Sequence, residues 1–142
     1  MKIMIIGSGG REHALAWKAA QSTRIEQVYV VPGNAGTALE AKVQNIVLDT
    51  TDFAVLADFA RNNNVRLTII GPEAPLVQGI VDYFNNAGLP CFGPSRGAAQ
   101  LEGSKAFTKD FLKRHNIPTA AYENFTDVVP ALAYLQKQPM PI

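Results

Sequence analysis

Apolar and polar positions along this chain fall into blocks whose period switches between that of a strand and that of a helix. Lys2-Ile3-Met4-Ile5-Ile6 is an almost continuous apolar run rich in β-branched residues, the mark of a strand buried on both faces. It stops at Gly7-Ser8-Gly9-Gly10, and residues 11–21 read as a helix with Ala14, Leu15, Lys18 and Ala19 at helical spacing and Trp17 packed along its edge. Gln27-Val28-Tyr29-Val30-Val31 predicts a second strand that runs into Pro32-Gly33-Asn34-Ala35-Gly36, and Asn45-Ile46-Val47-Leu48 a third. Thr50-Thr51-Asp52 offers N-cap oxygens to a helix striped by Phe53, Leu56, Ala57 and Ala60 and closed by Asn62-Asn63-Asn64. Residues 65–70 read as a central strand, Gly71-Pro72-Glu73-Ala74-Pro75-Leu76 as a proline-rich loop, and 77–87 as a helix ended by Gly88. Leu89-Pro90-Cys91-Phe92 is then a short strand, stopped by Gly93-Pro94.

Past Ser95 the pattern changes. An alanine-rich stretch from Arg96 is broken by Glu102-Gly103-Ser104-Lys105, and Ser104 caps a helix to about His115. Phe107, Phe111 and Leu112 form its apolar side; Lys105, Lys109, Lys113 and Arg114 form its solvated side. Asn116-Ile117-Pro118 ends it, Ala121-Tyr122-Glu123-Asn124-Phe125 reads as a strand, and Thr126-Asp127 opens a helix through Ala131, Leu132 and Leu135. Pro130 falls in the first turn of that helix, where a missing N–H is tolerated. Pro139-Met140-Pro141-Ile142 reads as the opening of a strand that is cut short.

Strand, turn and helix in alternation predict an α/β fold, a doubly wound parallel sheet with right-handed crossovers. Ligands of such sheets sit beyond the carboxyl ends of the strands, so the loops at 7–10, 32–36, 71–76 and 93–95 should share one edge. The expected division is a first unit over 1–103 and the start of a second over 104–142.

Composition narrows the class. The chain has 142 residues, 47% hydrophobic and 18% charged, with a formal net charge of +1, as for an ordinary globular protein. No basic run or aromatic–basic interleaving points to nucleic acid. No apolar run approaches the ~20 residues that span a membrane, and Met1 leads straight into a strand, so the expectation is a cytoplasmic chain. Its one cysteine, Cys91, reads as a buried, inert thiol in a reducing compartment.

The chemistry concentrates at the first turn. Glycines permit positive φ and close approach of a ligand, and the new helix points free N–H groups and its positive dipole end at the turn. An anion, most simply a phosphate, suits it; a plain tight connection is the other reading. The dinucleotide fingerprint requires a third glycine and an acid ending the second strand. Gly7 and Gly9 match, but Glu12 stands third and no acid follows Val31. There is no G-x-x-x-x-G-K-[ST] loop either. Arg11 instead offers a planar fork to a phosphate monoester. Glu73, the carboxylate of the 71–76 loop, suits ribose hydroxyls or an amine as acceptor; a solvated or helix-capping role fits equally.

Ile5-Ile6-Gly7-Ser8-Gly9-Gly10-Arg11-Glu12-His13-Ala14-Leu15, Pro32-Gly33-Asn34-Ala35-Gly36, Gly71-Pro72-Glu73-Ala74-Pro75-Leu76 and Gly93-Pro94-Ser95 resemble the glycinamide ribonucleotide synthetase (phosphoribosylamine–glycine ligase) family. Leu101-Glu102-Gly103-Ser104-Lys105-Ala106-Phe107-Thr108-Lys109 and Asn116-Ile117-Pro118-Thr119-Ala120 continue the resemblance in order and spacing. Ser8 departs from the asparagine of many members and keeps a small polar group at the turn. The resemblance implies a Rossmann-like pre-ATP-grasp domain followed by the truncated start of an ATP-grasp domain. It implies a ligase of purine biosynthesis in which ATP and Mg²⁺ activate the glycine carboxylate as an acyl phosphate. The amine of 5-phosphoribosylamine then attacks, and ADP and phosphate leave. Gly7, Ser8, Gly9, Gly10, Arg11, Glu12, Gly33, Asn34, Glu73 and Pro75 would bind the ribose phosphate and amine, and Lys105 the nucleotide phosphates. Metal ligands and catalytic residues would lie in the part of the family's length this chain lacks. The chain alone is thus expected to bind neither ATP nor Mg²⁺ and to be inactive, with Phe107, Phe111, Leu112, Leu132 and Leu135 inviting self-association. A dinucleotide-binding oxidoreductase domain, the substrate domain of another ATP-grasp ligase and a non-catalytic binding module are the alternatives. Titration with NADH separates the first, and preference for a ribose phosphate over bicarbonate separates the second.

Overall fold

A computed structural model describes residues 1–139; the apolar opening expected at residues 140–142 lies outside them. The chain divides into two compact units, Met1–Gly103 and a second from Ser104 onward.

The first unit contains β1 (Lys2–Gly7), α1 (Gly10–Ala20), β2 (Gln27–Pro32), a short 3-10 turn (Thr37–Leu39), β3 (Val43–Asn45), α2 (Phe53–Asn62), β4 (Val65–Ile70), α3 (Glu73–Gln78), α4 (Ile80–Asn86), β5 (Cys91–Phe92) and α5 (Arg96–Gly103). Five strands form one sheet in the order β3-β2-β1-β4-β5, every pair parallel. β1 is apolar over residues 3–6 because both its faces are covered. Met4 and Ile6 join Tyr29, Val31, Leu56, Ile80 and Phe84 on one side, and Ile3 and Ile5 join Ala16, Val28 and Val30 on the other. Ile6 pairs with Val31 and with Ile70, which brings the ends of β1, β2 and β4 level. The strand order reverses between β1 and β4, and the crevice outside the strand ends at such a reversal is where open α/β sheets take ligands.

Several elements differ from the sequence reading. In α1 the buried residues are Glu12 and Ala16, while Leu15 and Trp17 are 43% and 49% exposed. The face turned to the sheet follows the four-residue spacing of Glu12, Ala16 and Ala20; of the expected stripe only Ala19 packs on the inner cluster, while Ala14, Leu15 and Lys18, like Trp17, are exposed. β3 ends at Asn45, where Ile46 N–H closes the ladder on Val30 O at 2.9 Å; Ile46 and Leu48 still pack on the core as loop residues.

The proline-rich 71–76 segment is not all loop, since Glu73 begins α3. Pro75 is tolerated because first-turn N–H groups have no intrahelical acceptor to lose. The helix expected over 77–87 is interrupted by Gly79 at φ +99°, a left-handed residue that ends α3 and starts α4. α4 closes as read, on Gly88 at φ +69°, with Leu89 N–H donating to Phe84 O at 2.9 Å and Gly88 N–H to Asn85 O at 3.0 Å, the paired bonds of a Schellman motif.

Cys91 sits in β5, half-buried, and burial pushes its thiol up to about 11. Thiolate is the reactive form. Maleimide labelling at pH 7 should therefore be much slower than that of an unfolded control and should quicken as pH rises toward 11; labelling as fast as the control would mean the strand edge opens.

The second unit holds α6 (Lys105–Arg114) and α7 (Val128–Leu135). Ser104 caps α6, accepting from Phe107 N–H at 3.3 Å. The helix ends on Asn116 at φ +54°. No strand forms among residues 121–125; with no neighbouring ladder, side chains hold this segment instead. Lys109 is not a solvated cation: Nζ donates to Thr119 Oγ1 at 2.7 Å and to Ala120 O at 3.0 Å. Tyr122 donates to Asp110 at 2.6 Å, which raises its phenol to about 12, and Phe125 packs on Tyr134.

Candidate functional site

The crevice between the ends of β1 and β4 is lined by Gly7, the start of α1, and Gly71 leading into α3. Ser8, Gly9, Gly10, Arg11 and Glu73 are exposed there, while Gly7, Glu12 and Pro75 are buried. Gly9 is the N-cap of α1, with Gly10, Arg11 and Glu12 in its first turn. Their N–H groups point out of the helix with no preceding turn to accept them, and they and the dipole favour an anion in front.

Glu12 occupies the position at which a dinucleotide-binding turn carries its third glycine. Its side chain is folded back under the turn, 4% exposed, where Oε2 accepts from Gly9 N–H at 2.7 Å. That is the glutamate half of a capping box, with a glycine in place of the usual hydroxyl residue. Its Oε1 is buried without a hydrogen-bond partner. The flanking glycines leave it the room: a Cβ on Gly7 would stand 2.5 Å from Glu12 Cγ, and a Cβ on Gly71 would overlap the carboxylate itself. Gly7, at φ +133°, is in addition backbone that other residues rarely adopt. These glycines are therefore explained by the buried carboxylate as well as by the turn.

Arg11 lies over this arrangement, 67% exposed, with Nε 3.8 Å from Glu12 Oε1 and Nη2 3.7 Å from Glu73 Oε2. Both separations are ion-pair distances beyond hydrogen-bond length, so the guanidinium is shared between two carboxylates and bound tightly by neither. Glu73 is 56% exposed at the first residue of α3, where a carboxylate also suits the helix dipole.

The loop after β2 braces the turn from the other side. Asn34 Nδ2 donates to Ser8 O at 2.8 Å, and its Oδ1 accepts from Gly36 N–H at 2.8 Å and Thr37 N–H at 3.0 Å. Gly33 N–H donates to Gly7 O at 3.2 Å, and Gly33 is at φ +75°. Thr37, fully buried, accepts from Asn34 N–H at 2.8 Å and donates to Asn45 Oδ1 at 2.7 Å. The side chain of Asn34 is thus engaged with the protein itself. His13, one turn along α1, rests on Gly36 and meets Glu40 at 2.9 Å. Thr37, Asn45, His13, Glu40 and Gly71 belong to this frame and were not singled out from sequence; their signal is spatial, carried across 27 residues for His13 and Glu40.

Lys105 is exposed at the first residue of α6 in the second unit. Among the described residues no group of three His, Cys, Asp or Glu could hold a metal ion, and no helix is long and apolar enough to cross a membrane.

Comparison with known proteins agrees across the whole chain. Residues 1–102 match the family described as Phosphoribosylglycinamide synthetase, N domain, and residues 103–142 match Phosphoribosylglycinamide synthetase, ATP-grasp (A) domain. Phosphoribosylamine–glycine ligases of Escherichia coli O6:H1 and Pseudomonas putida are each 68% identical over 142 residues, all of this chain and 33% of theirs. The chain therefore spans about a third of the length of these curated relatives. Among solved structures, the biotin carboxylase domain of a single-chain bacterial carboxylase superposes with a TM-score of 0.67 at 17% identity, over 96% of this chain and 34% of that one. A Mycobacterium tuberculosis protein titled glycinamide-RNase-transformylase T gives 0.59 at 20% identity, over 85% and 37%. At these identities the likeness is one of fold.

Proposed function

Because the chain belongs to the phosphoribosylglycinamide synthetase family, we propose that it is the amino-terminal portion of a ligase that joins 5-phosphoribosylamine to glycine at the expense of ATP, in purine biosynthesis. Met1–Gly103 is the part that binds the phosphoribosylamine, and the segment from Ser104 begins the ATP-grasp domain. The relatives carry the ligase name and the family description carries the ATP-grasp domain.

The observation behind the substrate assignment is the junction of Arg11, the first turn of α1 and Glu73 at the β1/β4 reversal. The ribose 5-phosphate group would rest before the N–H groups of Gly10, Arg11 and Glu12 with the Arg11 fork on its oxygens. Glu73 would accept from ribose hydroxyls or the amine. Asn34 and Gly33 act by holding the turn through Ser8 and Gly7, and Pro75 by rigidifying α3. Fixing the amine in this way supplies the orientation that an intermolecular attack on an activated carboxylate otherwise lacks. Lys105, at the start of the ATP-grasp portion, would meet the nucleotide phosphates in the complete domain. The cytoplasm is the compartment in which we place the enzyme.

Calorimetric titration with ribose 5-phosphate tests the assignment. Arg11→Ala should weaken binding by roughly 1.5–3 kcal/mol, the scale of a hydrogen bond to a charged group, and leave the melting temperature nearly unchanged because Arg11 is largely exposed and its two ion pairs are long. Equal affinities for the two proteins would remove Arg11 from the site.

A further inference from the structure

Glu12 is an awkward neighbour for an anion. Its carboxylate lies directly beneath the proposed phosphate position, it has taken the N–H of Gly9, and its Oε1 has no donor. Gly7 and Gly71 close on it so tightly that no side chain from their positions could supply one. The group within reach is Arg11 Nε–H, 3.8 Å away. Closing that gap to a charge-assisted hydrogen bond needs a shift of about 1 Å, small for an exposed side chain held by neither of its acidic neighbours. A guanidinium can donate Nε–H to one acceptor while both Nη groups serve another.

We propose that Glu12 is a positioning residue for Arg11: when a phosphate monoester enters the turn, Arg11 leaves Glu73, donates Nε–H to the free Oε1 of Glu12, and presents its Nη fork to the phosphate. The same movement frees the Glu73 carboxylate for hydroxyl or amine donors on the ligand. Glu12, at the missing glycine, thereby selects a monoester bearing such donors over a dinucleotide pyrophosphate. The inference rests on the phosphate reading of the turn.

Ribose 5-phosphate titrations of the whole chain decide it. Glu12→Gln preserves shape, but either orientation of the amide sets a donor against Gly9 N–H or against Arg11, so affinity should fall about tenfold. Arg11→Lys keeps the charge and loses Nε–H and the fork, so it too should cost about tenfold. Added to the Arg11→Lys background, Glu12→Gln should cost much less than it does alone, because the Nε–H contact the two share is already gone and only the Gly9 contact is left to lose. Parent-like affinity of Glu12→Gln, or its full penalty repeated in that background, would overturn the proposal and leave the phosphate reading standing. Should Glu12→Gln fail to fold, Arg11→Lys alone decides, since parent-like binding by it is incompatible with a role for Nε. A parent chain that ignores ribose 5-phosphate would overturn the phosphate reading, and this inference with it.

Discussion

Gly71→Ala should lower the stability of the first unit by about 2 kcal/mol, an overpacking cost of ordinary size. The added methyl would overlap the Glu12 carboxylate, whose Cγ already takes the space that a Cβ on Gly7 would need. Glu12 would have to swing out to solvent and give up its bond to Gly9 N–H. Urea denaturation measures the loss, and a second substitution identifies the cause. Glu12→Ala in the Gly71→Ala background should recover most of the stability, since the methyl then fills space the carboxylate has vacated. If Gly71→Ala unfolds at the parent midpoint, or if the double variant is no better than the single, Glu12 is not packed between these strand ends.

Phe84→Ala should be costlier, about 3–5 kcal/mol. Phe84 is fully buried on the face of the sheet that also holds Met4, Ile6, Leu56 and Ile80. Its backbone carbonyl takes the Leu89 N–H that turns the chain into β5. Removing the ring opens a cavity under β1 and β4 together, so amides of both strands should lose hydrogen-exchange protection in a single step. Loss confined to α4 would mean that the sheet and this helix unfold separately.

The alternation of strands and helices was legible from periodicity alone, because residues 3–6 of β1 and 28–31 of β2 are buried on both faces and read as unbroken apolar runs, and β4 keeps an apolar majority around Arg66 and Thr68. What escaped the pattern did so for identifiable reasons. The inward face of α1 was misread because its anchor, Glu12, is a charged residue that a hydrophobic stripe cannot contain. α3 was hidden by prolines, which cost a first turn nothing. Residues 121–125 have the length and aromatic content of a short strand, yet a strand requires a partner ladder, and side chains hold the segment instead, through Tyr122 on Asp110 and Phe125 on Tyr134. At the candidate site, the turn, Arg11 and Glu73 were readable because each belongs to a local motif. The sharing of Arg11 between Glu12 and Glu73 was not, since it depends on β1 and β4 being adjacent across more than sixty residues, as the parallel register sets them.

The fit of Glu12 between Gly7 and Gly71 also measures a mutational distance. Glutamate and glycine codons differ by a single base, so Glu12→Gly is one point mutation away. That change would complete the spacing of a dinucleotide turn and empty the space beneath it. The phosphate half of a different cofactor's recognition is therefore within one step of this chain, whereas the ribose half is not, because β2 ends in Val31 and Pro32 with no acid to receive the hydroxyls. Drift at this position alone would lose the proposed ligand without gaining the other, leaving the two kinds of turn as neighbours in sequence separated by an unproductive intermediate.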